Sequence, residues 1–221
     1  MVWSSCLSDA SVEGTPFFQD GSSVPISANS DYPELAENWG FINTDGELVI
    51  SGTFDETRGF SEGLALVRKG DKWGFIDKNG KVIISPKFKS AWSFKDGKAR
   101  VMEFSDKLGI IDRQGNYILP SEYEEIKTYS DGLIAVKKDS LFEYLNEKGI
   151  QAIPPLFQRA WNFHNGLAKV ALNGKVTVIN KTGKAVFEAT YERLGDFSEG
   201  LVKAKWNRKF GYLNKKGQPV I

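Results

Sequence analysis

The sequence predicts an all-β fold of tandem β-hairpin repeats about 34 residues long, forming a propeller-like ring, with an open β-solenoid as the alternative. Three observations carry this. Trp39-Gly40-Phe41-Ile42 returns as Trp73-Gly74-Phe75-Ile76, and weaker copies begin at Leu108, Phe142, Val176 and Phe210, giving spacings of 34, 35, 34, 34 and 34 residues. A period held this closely marks one supersecondary unit copied along the chain. Each copy then carries an Asx residue followed three positions later by Gly, flanked by short β-branched runs. No stretch of the repeat region places apolar residues at the helical spacing, so helix is not expected there.

The elements follow in order. Residues 1–16 read as a flexible tail and 17–38 as a partial repeat and loop. Residues 39–221 read as one domain of six repeats, at 39–72, 73–107, 108–141, 142–175, 176–209 and a partial 210–221. The Asx/Gly pairs are Asn43/Gly46, Asp77/Gly80, Asp112/Gly115, Asn146/Gly149, Asn180/Gly183 and Asn214/Gly217. An Asx side chain opening a type I turn accepts a backbone N–H, and Gly at the fourth position supplies the positive φ of a G1 bulge. The returning strand reads Leu48-Val49-Ile50, Val82-Ile83-Ile84, Tyr117-Ile118-Leu119, Ala152-Ile153, Ala185-Val186-Phe187 and Val220-Ile221. Pro86, Pro120 and Pro154-Pro155 are expected to stop these strands, because proline removes a ladder donor.

A third station is an aromatic, then one residue, then Asp, Glu or Asn, then Gly: Phe60 to Gly63, Phe94 to Gly97, Tyr129 to Gly132, Phe163 to Gly166 and Phe197 to Gly200. In the strand beyond it the second and fourth residues are small or β-branched, as at Ala65/Val67, Ala99/Val101, Ile134/Val136, Ala168/Val170 and Val202/Ala204. Period-two alternation with small residues on one side suggests strands converging where space is tight. Each unit is thus three strands, or four if the segments such as Phe88 to Phe94 pair. A lone hairpin of this size is marginal in water, so neighbouring units must share their aromatics. The phase of the ends favours the ring: the last copy ends after its first hairpin, and Phe18-Gln19-Asp20-Gly21 offers the third station it lacks. Against closure, Ser23 and Pro25 would be the inward pair after Gly21.

At these residues the chain resembles the bacterial WG-repeat (KWG-repeat) proteins. Lys72-Trp73-Gly74-Phe75-Ile76-Asp77-Lys78-Asn79-Gly80-Lys81-Val82-Ile83 and Phe60-Ser61-Glu62-Gly63-Leu64-Ala65-Leu66-Val67 carry the likeness, which covers about residues 39–221. The resemblance implies a β-rich array, often envelope-associated or fused to other modules, and no catalytic residues. The chain departs from it where Trp is lost in copies three to six and where Glu143 and Thr177 replace the Gly. Tolerance of this kind is expected of packing residues whose neighbours adapt.

Composition narrows the function classes. Lys and Arg number 29 against 28 Asp and Glu, a net charge of +1 with the signs interspersed, which argues against a nucleic-acid partner. No apolar run approaches the length of a transmembrane helix. Cys6 is the one cysteine and excludes an intrachain disulfide or zinc cluster; it reads as a free thiol rather than the remnant of a lipoprotein anchor. His164 is the one histidine and reads as a turn residue, and no metal or other cofactor is expected. Glu62, Asp96, Asp131 and Glu199 could serve as paired carboxylates of a glycosidase, but Asp-Gly and Glu-Gly suit the turn itself and obey the repeat. No enzyme activity is expected.

Binding residues are sought where copies disagree. Trp92 and Trp161 stand two residues before a third-station aromatic, where Arg58, Lys127 and Gly195 stand in other copies. With Trp206 they are candidate platforms for a sugar ring or anchors for a protein; packing between repeats is the competing role. The expectation is a non-enzymatic scaffold for protein–protein interaction, with a carbohydrate or cell-envelope binding module as the alternative, in the bacterial cytoplasm or envelope.

Overall fold

Each Asx side chain organises its hairpin from within. In all six copies its Oδ1 accepts the N–H groups of the second and fourth residues beyond it, as Asn43 does from Asp45 (3.0 Å) and Glu47 (2.8 Å). The Gly N–H donates back to the Asx carbonyl, and the Gly has φ between 76° and 85°. This is the expected type I turn closed by a G1 bulge, at Gly46, Gly80, Gly115, Gly149, Gly183 and Gly217 alike. The third station makes a tighter hairpin. Glu62, Asp96, Asp131, Asn165 and Glu199 have φ of 50–52° and the following Gly 71–80°, the signature of a two-residue type I′ turn.

The computed structural model describes residues 23–26, 38–186 and 191–220. They form six antiparallel sheets, and no helix is found among them. The first sheet is β1 (Ser23–Ile26), β2 (Asn38–Ile42) and β3 (Leu48–Phe54). The second is β4 (Glu56–Ser61), β5 (Leu64–Lys69), β6 (Lys72–Asp77) and β7 (Val82–Phe88). The third is β8 (Ser90–Ala91), β9 (Ala99–Met102), β10 (Leu108–Ile111) and β11 (Tyr117–Tyr123). The fourth is β12 (Glu125–Ile126), β13 (Leu133–Lys138), β14 (Leu141–Asn146) and β15 (Gln151–Phe157). The fifth is β16 (Arg159–Ala160), β17 (Leu167–Leu172) and β18 (Lys175–Asn180), and the sixth β19 (Arg193–Ser198), β20 (Leu201–Trp206) and β21 (Lys209–Asn214). Strands within a sheet run in chain order, so each sheet is a meander. Each sheet also straddles a boundary between sequence copies: β4 and β5 come from the first copy, β6 and β7 from the second.

Two expectations are corrected by this geometry. Proline does not stop the returning strand: β7 runs through Pro86, β11 through Pro120 and β15 through Pro154-Pro155. Trp73 pairs with Phe88 and Phe75 with Ile84, so three residues bulge opposite Gly74. A bulged residue needs no ladder donor, which is why proline is tolerated there. The bulge also explains the Gly. A Cβ on Gly74 would lie 2.5 Å from the Ile84 carbonyl oxygen and 2.6 Å from the Pro86 nitrogen. The same bulge spans Glu143, which is buried and accepts a hydrogen bond from the Gln151 amide at 2.6 Å. The second correction concerns the strand before the first copy. β1 pairs Val24 with Gly40, as β5 pairs Val67 with Gly74, so by register Val24 rather than Pro25 stands at the Val67 position. The 1–16 tail, Cys6 and Phe18 to Gly21 lie outside the described residues.

The chain divides into two compact units, Met1–Ser121 and Glu122–Ile221. In the first unit the second sheet is buried on both faces. Ala65, Val67 and Ile76 pack on Phe41, Ile50 and Phe54 of the first sheet. Leu64, Leu66, Trp73, Phe75, Ile84 and Phe88 pack on Ala91, Phe94, Ala99, Val101 and Ile111 of the third. The second unit repeats the arrangement: Leu133, Ala135, Phe142, Tyr144, Ile153 and Phe157 of the fourth sheet meet Ala160, Phe163, Ala168, Val170 and Ile179 of the fifth. Small residues at the Ala65 and Val67 positions let one sheet approach the next, as alternation suggested.

Rings and turn residues stitch neighbouring sheets. The aromatic two residues after the Trp position meets the third-station aromatic of the following sheet in Phe41–Phe60 (4.9 Å), Phe75–Phe94 (4.8 Å) and Tyr144–Phe163 (4.9 Å). Ser61 Oγ donates to the Phe94 carbonyl (2.7 Å), and Ser130 Oγ to that of Phe163 (2.5 Å). The turn acids act one position further on, where Glu62 accepts from the Gly97 N–H (3.0 Å) and Asp131 from the Gly166 N–H (2.7 Å). A polar residue directly after the returning-strand aromatic caps the next tight turn: Asp55 accepts from Gly70, Gln158 from Asn173 and Glu192 from Arg208.

Candidate functional site

Four of the five singled-out positions take part in aromatic–cation pairs. The Arg58 guanidinium sits 4.9 Å from the Trp73 ring centroid and the Lys127 ammonium 5.9 Å from that of Phe142. Trp92 receives Arg100 at 4.4 Å, and Trp161 receives Lys169 at 5.3 Å. Each such pair is worth about 0.5–1 kcal/mol at an exposed site and about 2 where desolvated. Trp206 differs. Its ring meets Tyr191 edge-on at 6.0 Å, and the residue is half-buried against the Tyr191, Val202, Ala204 and Leu213 cluster of the sixth sheet. Lys127 also forms an ion pair with Glu125.

These pairs show that the aromatic in copies three and five is displaced rather than lost. In the second and fourth sheets the cation stands on the first strand side (Arg58, Lys127) and the ring on the third strand (Trp73, Phe142). In the third and fifth sheets Leu108 and Val176 fill the third-strand position, and the ring moves to Trp92 and Trp161. Its cation then comes from the second strand, as Arg100 and Lys169. Sequence reasoning picked out Trp92 and Trp161 but missed Arg100 and Lys169. The signal was present in the charged residue three positions after each Gly97 and Gly166.

One position breaks the inter-sheet ring pairs within the second unit. Val178 holds the place of Phe41, Phe75 and Tyr144, opposite Lys169 in the ladder. Phe60, Phe94 and Phe163 each meet a ring from this position, and for Phe197 of the sixth sheet the residue there is Val178. A cleft of about 410 Å³ lies between the fifth and sixth sheets, with Val178, itself 1 % exposed, on its border. Its walls are Trp161, Leu167, Val178 and Phe197, and its polar groups are Asn162, His164, Asn165, Lys169 and Lys215. Trp161 is 37 % exposed, whereas Trp73, in the frame position, is 7 % exposed. The backbone at Trp161 is held from behind: the buried Tyr144 hydroxyl donates to the Trp161 carbonyl at 2.8 Å, and the Trp161 N–H donates to Lys169 at 3.1 Å. Burial pushes the Tyr144 phenol far above its usual range, so it is a proton donor at every physiological pH.

Among the described residues the lining carries the ammonium groups of Lys169 and Lys215. His164 is exposed in its type I′ turn, whose Asn165–Gly166 pair and cross-turn hydrogen bonds to Leu167 fix its backbone. Among the described residues no group of three His, Cys, Asp or Glu side chains could hold a metal ion. No helix among them is long and apolar enough to cross a membrane.

The family model described as a WG containing repeat matches residues 39–73, 73–103, 109–142, 144–175 and 177–209. The chain belongs to the WG-repeat family. Its five matched segments coincide with the first five repeats, including the copies that have lost Trp. No curated protein matches this WG-repeat chain in sequence. Among solved structures it is similar to Hsv2 of Kluyveromyces lactis, with 13 % identity and a TM-score of 0.42 over 72 % of this chain and 59 % of that one. BamB from Moraxella catarrhalis shares 12 % identity at a TM-score of 0.42, over 84 % of this chain and 67 % of BamB. A eukaryotic initiation factor shares 10 % identity at 0.48, over 83 % and 59 %. The WG-repeat chain thus spans 59 % of the Hsv2 and initiation-factor chains. These likenesses fall below a TM-score of 0.5 and assign nothing to it.

Proposed function

We propose that this WG-repeat chain is a non-enzymatic binding scaffold whose repeated residues build the frame and whose ligand site lies where the repeat fails, in the Trp161 cleft. The observation that carries this reading is the cleft itself, bordered by an exposed indole and two lysines beside Val178, which stands where Phe41, Phe75 and Tyr144 place a ring. A volume of about 410 Å³ falls within the range of about 300–1,000 Å³ of small-ligand pockets. The turn acids support the absence of catalysis, since Glu62 and Asp131 use their carboxylates to cap a neighbouring turn. A ligand-observed NMR fragment screen tests the site by comparing the native chain with Val178→Phe, which refills the cleft. Binding that vanishes in the variant is expected; a hit list unchanged by the substitution rejects the site.

Binding of a protein is the second reading. It is favoured by Leu156, 50 % exposed on the edge strand β15, an apolar anchor beside the bulge prolines. Leu156→Glu should abolish capture of such a partner while Val178→Phe leaves it intact. The propeller-like ring is likewise proposed over the open solenoid. Its support is that β1 provides the first sheet with the strand that precedes the Trp-Gly strand in every later sheet. Small-angle scattering that requires an elongated envelope would reject it.

A further inference from the structure

Three Asn-Gly pairs occur in the chain, at Asn79-Gly80, Asn165-Gly166 and Asn173-Gly174. We propose that Asn173 is a site of spontaneous covalent self-modification, and that Asp131 guards the matched pair at Asn165 against the same reaction. The chemistry needs only the chain and water. The Gly174 backbone nitrogen gives up its proton to hydroxide and attacks the carbonyl carbon of the Asn173 side chain. A C–N bond forms, the bond to the side-chain nitrogen breaks, and that nitrogen leaves as ammonia with a proton taken from water. Water then adds to either carbonyl of the five-membered imide and opens it to aspartate or isoaspartate at position 173. Glycine has no side chain to obstruct the attack.

One contact separates the two pairs. Both sit in the same two-residue type I′ turn: Asn165 and Asn173 have φ of 52° and 50°, and Gly166 and Gly174 have 79° and 73°. Both asparagines are exposed, and a Cβ on either glycine would meet nothing within 4 Å. Local conformation and access to water are thus matched. What differs is the attacking nitrogen. The Gly166 N–H donates to the Asp131 carboxylate at 2.7 Å, and a charge-assisted hydrogen bond makes that proton harder to remove and ties the nitrogen down. Among the described residues no acceptor is bonded to the Gly174 N–H; the side chain capping that turn, Gln158, accepts from the Asn173 N–H instead, at 3.0 Å. In the third pair the Gly80 N–H donates to the Asp77 carbonyl at 3.0 Å and Gly80 stands against Ile50, so Asn79 is held back as well. The guarded asparagine, Asn165, is the one that lines the Trp161 cleft.

Isoaspartate carries the backbone through its side chain and adds one carbon to the turn joining β17 to β18, where Leu172 pairs with Lys175. A two-residue turn matches the strand twist only at its own length, so the modified hairpin frays. The experiment ages the full chain in mildly alkaline heavy-oxygen water and reads each Asn-Gly peptide by mass spectrometry. Position 173 is expected to take up labelled oxygen as a mixture of the two acids. It should do so at least about tenfold faster than position 165, the factor that a hydrogen bond to a charged group is worth. Asp131→Gly keeps the positive φ of its own turn accessible. It should bring position 165 up to the rate of position 173 and leave 173 unchanged, a thermal melt showing that the variant folds. Amide exchange should quicken in β17 and β18 of the aged chain. Equal rates at 165 and 173 in the native chain, or a rate at 165 indifferent to Asp131→Gly, overturn the guard. Absence of label at 173 overturns the modification site. Label at 173 with exchange unchanged overturns the consequence for the hairpin.

Discussion

Replacing Gly80 by Ala should cost far more than the same replacement at Gly46, although the two occupy the same turn. Both residues have positive φ, +79° and +83°, so each Ala pays the left-handed penalty of about 1–2 kcal/mol. They differ in what the new methyl meets. At Gly46 nothing lies within 4 Å; at Gly80 the Cβ would stand 3.2 Å from Ile50 Cγ2 and 3.5 Å from its Cγ1. Ile50 is buried among Phe41, Phe54, Ala65, Val67 and Ile76, so it cannot swing clear. Crowding a packed interior by a methyl costs about 1–3 kcal/mol. The expected destabilisation is therefore about 1–2 kcal/mol for Gly46→Ala and about 2–5 for Gly80→Ala. Urea titration of both variants measures the difference, provided the slope of the transition is unchanged. The double variant Ile50→Ala/Gly80→Ala should be less damaged than the sum of its parts, because the crowding partner is gone. Equal losses at Gly46 and Gly80, or strict additivity with Ile50→Ala, would refute the claim that this glycine is held by the neighbouring sheet as well as by its own turn.

Other perturbations test the frame and the cleft apart. Trp73→Ala should cost about 3–5 kcal/mol by emptying a buried site, whereas Trp161→Ala should cost less than about 1 kcal/mol and act on ligand binding instead; denaturation and titration of both variants check this. Tyr144→Phe strips the hydrogen bond to the Trp161 carbonyl, so a loss of about 1 kcal/mol is expected, together with weaker cleft binding measured by calorimetry. Asp112 gives a pH signature. Desolvation pulls its carboxyl upward, but the Asn116 side chain and the N–H groups of Asn116, Gln114 and Gly115 outweigh this and hold it below the usual range. A lowered folded-state pKa adds stability above the unfolded value of about 4, lost as pH falls through that value and the folded one. The stability gap between native chain and Asp112→Asn should hence shrink between pH 7 and pH 3, and a gap constant with pH would contradict it.

What could be read from the sequence was what is local. The Asx turns are settled by five consecutive residues, and all six form as the Asx-x-x-Gly spacing requires. The bulge was misread because Pro86 and Pro155 look like strand stops until the register shows three residues opposite one. Pairing also hid the partners of Trp92 and Trp161, since Arg100 and Lys169 meet them across a ladder rather than along the chain. The Ser61 and Ser130 bonds to carbonyls 33 residues onward depend on sheet-to-sheet stacking, to which a turn sequence gives no clue. Val178 stood in plain sight, with Ile110, as one of two aliphatic members of an otherwise aromatic column. Its meaning required Phe197 to be placed across from it.

The offset between sequence copy and sheet has a genealogical consequence. Because β4 and β5 come from one copy and β6 and β7 from the next, a duplicated segment never arrives as a finished part. It donates half a sheet to its predecessor and borrows half from its successor. Gain or loss of one copy therefore regenerates the same seams, whereas a break at a copy boundary splits a sheet in two. Such a lineage can lengthen or shorten by whole copies while each copy drifts, and a single drifted residue such as Val178 can acquire a role its siblings do not share.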